Sequence, residues 1–253
     1  MNLGARLRQH YTDAATIKNE IAVKLRQEKG RARAALNREL HMLRRGTEPQ
    51  YLFASQAGQD MIVDRLFGGK TGGTFVDVGA YDGVTGSNSL FFEQIRGWSG
   101  ILVEPVPSQV QKARVARKSD CLQLAVSDTA GEAEFIAVTK GFTQMSGLVQ
   151  SYDAQTLAQV RDDPRHVEEL VKVQTKRLSD ILTDEGIEHP DFVSLDIEGG
   201  EVAVLRDFPF SKHRVQVWAI ENNAGDSVIA SIMRDAGYDL VDFAGPDEIY
   251  RLR

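Results

Sequence analysis

The sequence runs to 253 residues, 42% of them hydrophobic and 26% charged, with a net charge of −6. That is enough chain for one large α/β domain, or for a domain with an appendage, and it excludes bulk disorder. No apolar run reaches the roughly 18 residues of a membrane-spanning helix, the polar start lacks a signal peptide's apolar centre, and a cytoplasmic protein is expected. The single cysteine, Cys121, excludes an internal disulfide and a thiolate metal site, and its apolar setting reads as a core position.

The charge is divided between two parts of the chain. Residues 1–48 hold 11 Lys or Arg against 5 Asp or Glu, so this arm carries +6 and the remainder −12. Leu3, Leu7, Ala14, Ile17, Ile21, Leu25, Ala32, Leu36, Leu40 and Leu43 recur near helical spacing, with Gly30 interrupting, which predicts one long helix or two. Three placements stay open for it: packed on its own domain or on a second subunit of a homo-oligomer, extended into solvent, or drawn to an anionic partner. The acidity of everything after residue 48 argues against nucleic acid, and the lack of bulky aromatic anchors argues against a membrane surface.

Residues 55–67, SQAGQDMIVDRLF, read as an amphipathic helix capped by Ser55. In residues 74–89, TFVDVGAYDGVTGSNS, the apolar run Phe75, Val76, Val78 meets Asp77 and then Gly79, Gly83 and Gly86. This is the pattern of a buried parallel strand turning through glycines into a helix, Ser87–Ile95, and open α/β sheets bind nucleotides at such turns. The spacing is not G-x-G-x-x-G, and Asp77 and Asp82 beside the turn would repel a pyrophosphate. S-adenosylmethionine has no phosphate, carries a sulfonium and an ammonium, and has a ribose diol that a carboxylate accepts from, so the acidic turn fits that ligand. The next strand, residues 100–104, ends in Glu104, where such sheets place an acid for the ribose hydroxyls.

Beyond it, residues 121–126 and 132–138 read as strands, and residues 139–170 as a helical insertion or lid able to exclude water. The α/β rhythm resumes with helix 178–185, strand 192–197, helix 201–208, strand 215–220 and helix 226–236. Two extended runs joined by Gly245 and Pro246 close the chain as an antiparallel hairpin.

The pattern D-x-G-x-x-x-G at Asp77, Gly79 and Gly83 resembles motif I of the Rossmann-like S-adenosylmethionine-dependent methyltransferases. SQAGQD at 55–60, GSNS at 86–89, GWSGILVEP at 97–105 and SLDIEGGE at 194–201 narrow the resemblance to the FkbM-type methyltransferases, mostly O-methylating enzymes of sugars and natural products, over about residues 51–223. The resemblance implies a Rossmann-like α/β fold with a seven-stranded, mostly parallel sheet and the closing hairpin, in a domain over 49–253 behind the helical arm of 1–48. It implies a cofactor site from Asp77, Gly79, Ala80, Tyr81, Asp82, Gly83 and Asn88, with Glu104 and Pro105. Ala125, Val126 and Ser127 are expected at the adenine, and Gln59 either at the cofactor's carboxylate or at a ligand-free helix start.

Catalytic groups on such a sheet belong at the carboxyl ends of its strands. Asp196 and Glu198 follow the fourth strand and Glu221 ends the fifth, so three carboxylates are expected to converge there. A sulfonium methyl is already electrophilic, which leaves the protein to position an alcohol and take its proton. Asp196, also at the cofactor edge, is the first candidate for that base and Glu221 the second, with Glu198 bracing the loop and Glu201 capping the next helix. A Mg²⁺ ion between Asp196 and Glu221 is the alternative. Of the histidines only His166, in the expected lid, is placed to reach an acceptor, and no serine or cysteine nucleophile arrangement appears. The expected reaction is methyl transfer to a hydroxyl, on a sugar of a glycan or glycosylated metabolite. A catalytically silent scaffold and a nicotinamide-dependent oxidoreductase are its rivals.

Overall fold

The computed structural model describes residues 2–253. Its centre is β1, Thr74–Val78, hydrogen-bonded in parallel to β2, Ser99–Val103, and to β8, Phe192–Leu195. The seven-stranded sheet has the order β10-β11-β9-β8-β1-β2-β3, in which β3 is Asp120–Leu122, β9 Val217–Glu221, β10 Tyr238–Ala244 and β11 Asp247–Leu252. Only β11 runs against its neighbours, because the Gly245-Pro246 turn returns the chain between β9 and β10.

Alternation along each strand feeds two core layers. Val76, Val78, Leu195, Trp218 and Ile220 pack against α7 (Leu178–Asp184), α8 (Glu201–Asp207) and α9 (Val228–Asp235). Phe75, Leu102, Phe192 and Ala219 face α3 (Gln59–Leu66), α4 (Leu90–Arg96) and α5 (Pro107–Ala116). A strand buried on both faces reads as a continuous apolar run, which is why these strands were visible in the sequence.

Three expectations are corrected. Residues 121–126 are not one strand: after Leu122 the chain leaves the main sheet, and β4, Ala125–Val126, joins a second sheet of order β4-β7-β5-β6. Residues 139–170 are not a helical lid. They complete β5 (Gly131–Lys140), form β6 (Gly147–Leu148) and α6 (Ala154–Arg161), and enter β7 (Val167–Lys176), which pairs antiparallel with β5. Phe135 and Ala137 pack on one face of β5 and Ile136 and Val138 on the other, a period of two that fixes it as a strand. Nor does Ser55 cap α3, whose N-cap is Gly58 at φ 91. Its Oγ donates instead to Asp60 Oδ1 at 2.5 Å, in a fully buried carboxylate that also accepts from the amides of Ala54, Ser55 and Met61. A bridge from Ser55 to Gly86 ties this turn to the glycine loop.

The arm forms two helices, α1 (Leu3–Gln27) and α2 (Arg33–Thr47), and α2 docks on β10 of its own chain. Asp242, 3% exposed, takes both oxygens of its carboxylate into this contact: Arg33 donates at 2.7 and 2.8 Å, Asn37 Nδ2 at 2.8 Å and Arg65 at 2.9 Å. Burial pushes the Asp242 carboxyl up, but Arg33, the Phe243 amide and Arg65 together outweigh it and hold the group below the usual range. Arg31 adds bonds to Glu248 and to the Asn222 carbonyl. Asp242→Ala leaves Arg33 partly buried without its counter-ion, so a loss of about 3–5 kcal/mol is expected in denaturant unfolding, with earlier proteolysis of the arm. No helix among the described residues is long and apolar enough to cross a membrane.

Candidate active site

A cavity of about 420 Å³ opens at the carboxyl ends of β1, β2, β8 and β9, and the turn between β5 and β6 roofs it. Its floor is made by close backbone contact. Gly79 N and Ala80 N donate to the Val103 carbonyl at 2.9 and 3.1 Å, and Asp196 N donates to the Val78 carbonyl at 3.1 Å. Gly79 stands at φ 82, and a Cβ there would lie 1.7 Å from the Asp196 carbonyl oxygen, so glycine alone fits. Tyr81 continues the loop at φ 50 and reaches with its hydroxyl to Thr143 Oγ1 at 2.7 Å, joining loop to roof.

Glu104 spans the same end of the cavity. Its carboxylate accepts from Tyr81 N at 3.0 Å and Val106 N at 2.8 Å, and burial pushes its pKa up to about 7 against the pull of those amides. Pro105, Ala125 and Val126 line the adjoining wall beside Phe135 and Leu148. Gln59 lines the cavity too, with its amide tied to Ala57 N at 2.9 Å and Asp247 Oδ2 at 3.1 Å. Asn88 donates to Ser194 Oγ at 2.9 Å, and its buried Oδ1 has no partner among the described residues.

Three expected contacts lie elsewhere. Asp82 accepts from the amides of Val84 and Thr85 at 2.9 and 2.7 Å, closing its own turn outside the cavity. Gly83 packs on α5, where a Cβ would meet Arg117 Cγ at 2.9 Å. Ser127 faces a second cavity on the far side of β4. Asp77 does line the main cavity, but its Oδ2 accepts from Ser89 Oγ at 2.5 Å and Ser87 Oγ at 3.2 Å, and the fully buried Arg117 stands behind those serines. Burial raises the Asp77 carboxyl while Ser89 and Arg117 pull it back. The charge argument built on Asp77 and Asp82 therefore moves: the acids that face the cavity with no cationic side chain bonded to them are Glu104 and a corner at the ends of β8 and β9.

In that corner Asp196, Glu198 and Glu221 bring carboxylate oxygens within 4.8 Å of one another. Burial raises all three. Asp196 goes up to about 6, Glu198, pushed further by Asp196, to about 9, and Glu221 well above the usual carboxylate range. Asp247 joins them from β11, whose register sets it opposite Glu221. The loop is braced not by Glu198 but by Glu201, which accepts from Ile197 N at 2.9 Å and Gly199 N at 3.1 Å. Glu198, at φ 58, is turned back toward the cavity, with Asn223 Nδ2 at 3.4 Å. His166 is held by Glu168 at 2.8 Å and does not line the cavity.

These raised values fix a sign. Folding tightens proton binding to Asp196 and Glu198, so their contribution to stability is whole below the ordinary 3.8–4.5 and is lost as pH rises through about 6 and about 9. In chelator, the thermal midpoint is expected to fall between pH 6 and pH 9, and Glu198→Gln to flatten that fall.

Two parts of the lining carried no signal in the sequence. Arg38, on α2, is the one basic side chain among the described residues that line the cavity, and Phe142–Ser146 form its roof. Asp247 was legible in principle, since a return strand after β9 must start beside the end of β9.

The Methyltransferase FkbM domain family matches residues 77–240. No curated protein matches. Among solved structures, Methyltransferase FkbM from Methylobacillus flagellatus KT is 14% identical, with a TM-score of 0.47, and the match covers 98% of this chain and 60% of that one. A TehB-like SAM-dependent methyltransferase from Corynebacterium glutamicum is 9% identical, with a TM-score of 0.39 over 78% of this chain and 88% of that one. A methyltransferase from Pyrococcus furiosus is 13% identical, with a TM-score of 0.39 over 85% and 95%. The loop around Gly79, the acid at Glu104 and the carboxylate corner all lie within the matched residues, and the chain belongs to the FkbM methyltransferase domain family.

Proposed function

We propose that this protein is an S-adenosylmethionine-dependent O-methyltransferase that methylates a hydroxyl of a sugar, in a glycan or a glycosylated metabolite. The observation that carries the reading is one cavity with two different ends: Glu104 held by loop amides at one, and at the other the partly buried Asp196 with the buried Glu198 and Glu221.

The residues fit the cofactor. Glu104 keeps lone pairs for a ribose diol after accepting its two amide bonds, and the partnerless Asn88 Oδ1 is a buried acceptor suited to an ammonium. When bound, S-adenosylmethionine supplies an electrophilic methyl on a positively charged sulfur. Phe135 and Leu148 give the adenine an apolar wall, and the roof over Tyr81 and Thr143 limits water. Asp196, at the end of β8, takes the proton of the acceptor hydroxyl as its oxygen attacks. Arg38 at the rim suits an anionic group on the acceptor.

Calorimetry with S-adenosylmethionine tests the reading. Binding is expected in the native chain, weakened by roughly 1–3 kcal/mol in Glu104→Ala, where a charge-assisted pair of bonds is lost. Unchanged affinity in that variant removes the ribose assignment, and no heat in the native chain removes the cofactor. A turnover screen over sugar acceptors then identifies the hydroxyl.

A further inference from the structure

The corner of Asp196, Glu198 and Glu221 holds more carboxyl groups than proton abstraction requires. Among the described residues no Lys or Arg lines that side of the cavity, whose one basic lining residue is Arg38 from the exposed surface of α2. Buried carboxylates are stable when paired or bound to a metal, and here the protein supplies no partner cation. A separate observation points to a ligand. Glu221 is 7% exposed, it lines the cavity, and its Oε2 is buried with no hydrogen-bond partner among the described residues.

The donor set selects the ligand's chemistry. All three donors are hard carboxylate oxygens, with no imidazole or thiolate among them, which suits Mg²⁺, Mn²⁺ or Ca²⁺ over zinc or copper. Oxygens bound to one such ion at about 2.0–2.6 Å stand no more than about 4–5 Å apart. The three oxygens here already lie within 4.8 Å of one another.

We propose that Asp196, Glu198 and Glu221 hold one divalent cation of the Mg²⁺ class, whose open positions take two neighbouring hydroxyls of the acceptor. The ion site stands on geometry alone; its role rests on the methyl-transfer reading above. In that role the ion polarises one hydroxyl, whose proton passes to the free oxygen of Asp196. The new O–C bond forms as the methyl C–S bond breaks, and that electron pair stays on sulfur, which becomes a neutral thioether. The favoured acceptor is therefore a vicinal diol.

The experiment uses the full chain freed of metal with EDTA and titrated with MnCl₂, reading free Mn²⁺ by electron paramagnetic resonance, with MgCl₂ as competitor. One Mn²⁺ per chain is expected, displaced by Mg²⁺, and Glu221→Gln and Glu198→Gln each weaken it at least about tenfold. Asp239→Asn, on the exposed side of the hairpin, binds as the native chain does. Circular dichroism of each variant shows that its fold is intact. S-adenosylmethionine calorimetry on the same samples separates the two claims. A chain that binds S-adenosylmethionine but no Mn²⁺ overturns the ion and leaves methyl transfer standing, and Mn²⁺ binding without S-adenosylmethionine does the reverse. Native Mn²⁺ affinity in both folded glutamine variants also overturns the assignment.

Discussion

Asp196→Asn is expected to lower turnover by about 10²- to 10⁴-fold while S-adenosylmethionine still binds within about threefold of the native affinity. Asparagine keeps the size of the side chain, and the backbone bond from residue 196 N to the Val78 carbonyl does not depend on the carboxylate. What goes is the negative oxygen that receives the proton. A neutral alcohol then attacks without a base to take its proton, and the rate falls while the cavity keeps its shape. Steady-state turnover beside calorimetry checks this, and full activity in the variant would refute Asp196 as the base.

Gly79→Ala carries the second large effect. The added methyl would sit 1.7 Å from the Asp196 carbonyl oxygen at a φ of +82. Relief requires β1 and the loop after β8 to separate, which breaks the bond between Asp196 N and the Val78 carbonyl and shifts both ends of the cavity. Left-handed backbone on a non-glycine residue costs about 1–3 kcal/mol, and the overlap adds a further ~1–3 kcal/mol. The expected result is a lower denaturation midpoint together with loss of measurable cofactor binding. Gly97→Ala is the contrast: φ is +65 there too, but nothing lies within 4 Å of the new Cβ, so a cost of about 1 kcal/mol and native binding are expected. Native binding in Gly79→Ala would show that the loop tolerates displacement and is not the floor described above.

The main sheet was legible because its central strands are buried on both faces and so read as apolar runs, as Phe75, Val76 and Val78 do before Gly79. The second sheet was not. β4 and β6 are two residues each, too short to show a period, and β7 interleaves Val171 and Val173 with charged residues on a partly exposed face. Within the site, Glu104, Asp196, Glu198 and Glu221 follow from strand ends. Asp82 and Gly83 sit in the same motif but face away, because the loop turns its outer half onto α5 and onto its own amides. Which glutamate braces the loop and which faces the cavity depends on the left-handed turn at Glu198, and residue types alone do not reveal that.

The arm contributes Arg38 to the cavity while lying wholly outside residues 77–240, the portion common to the family. The cavity's one basic lining side chain among the described residues and its carboxylates thus come from separable pieces of the polypeptide. Exchanging the leading helices would therefore remodel the mouth of the cavity while leaving the carboxylates at its base in place.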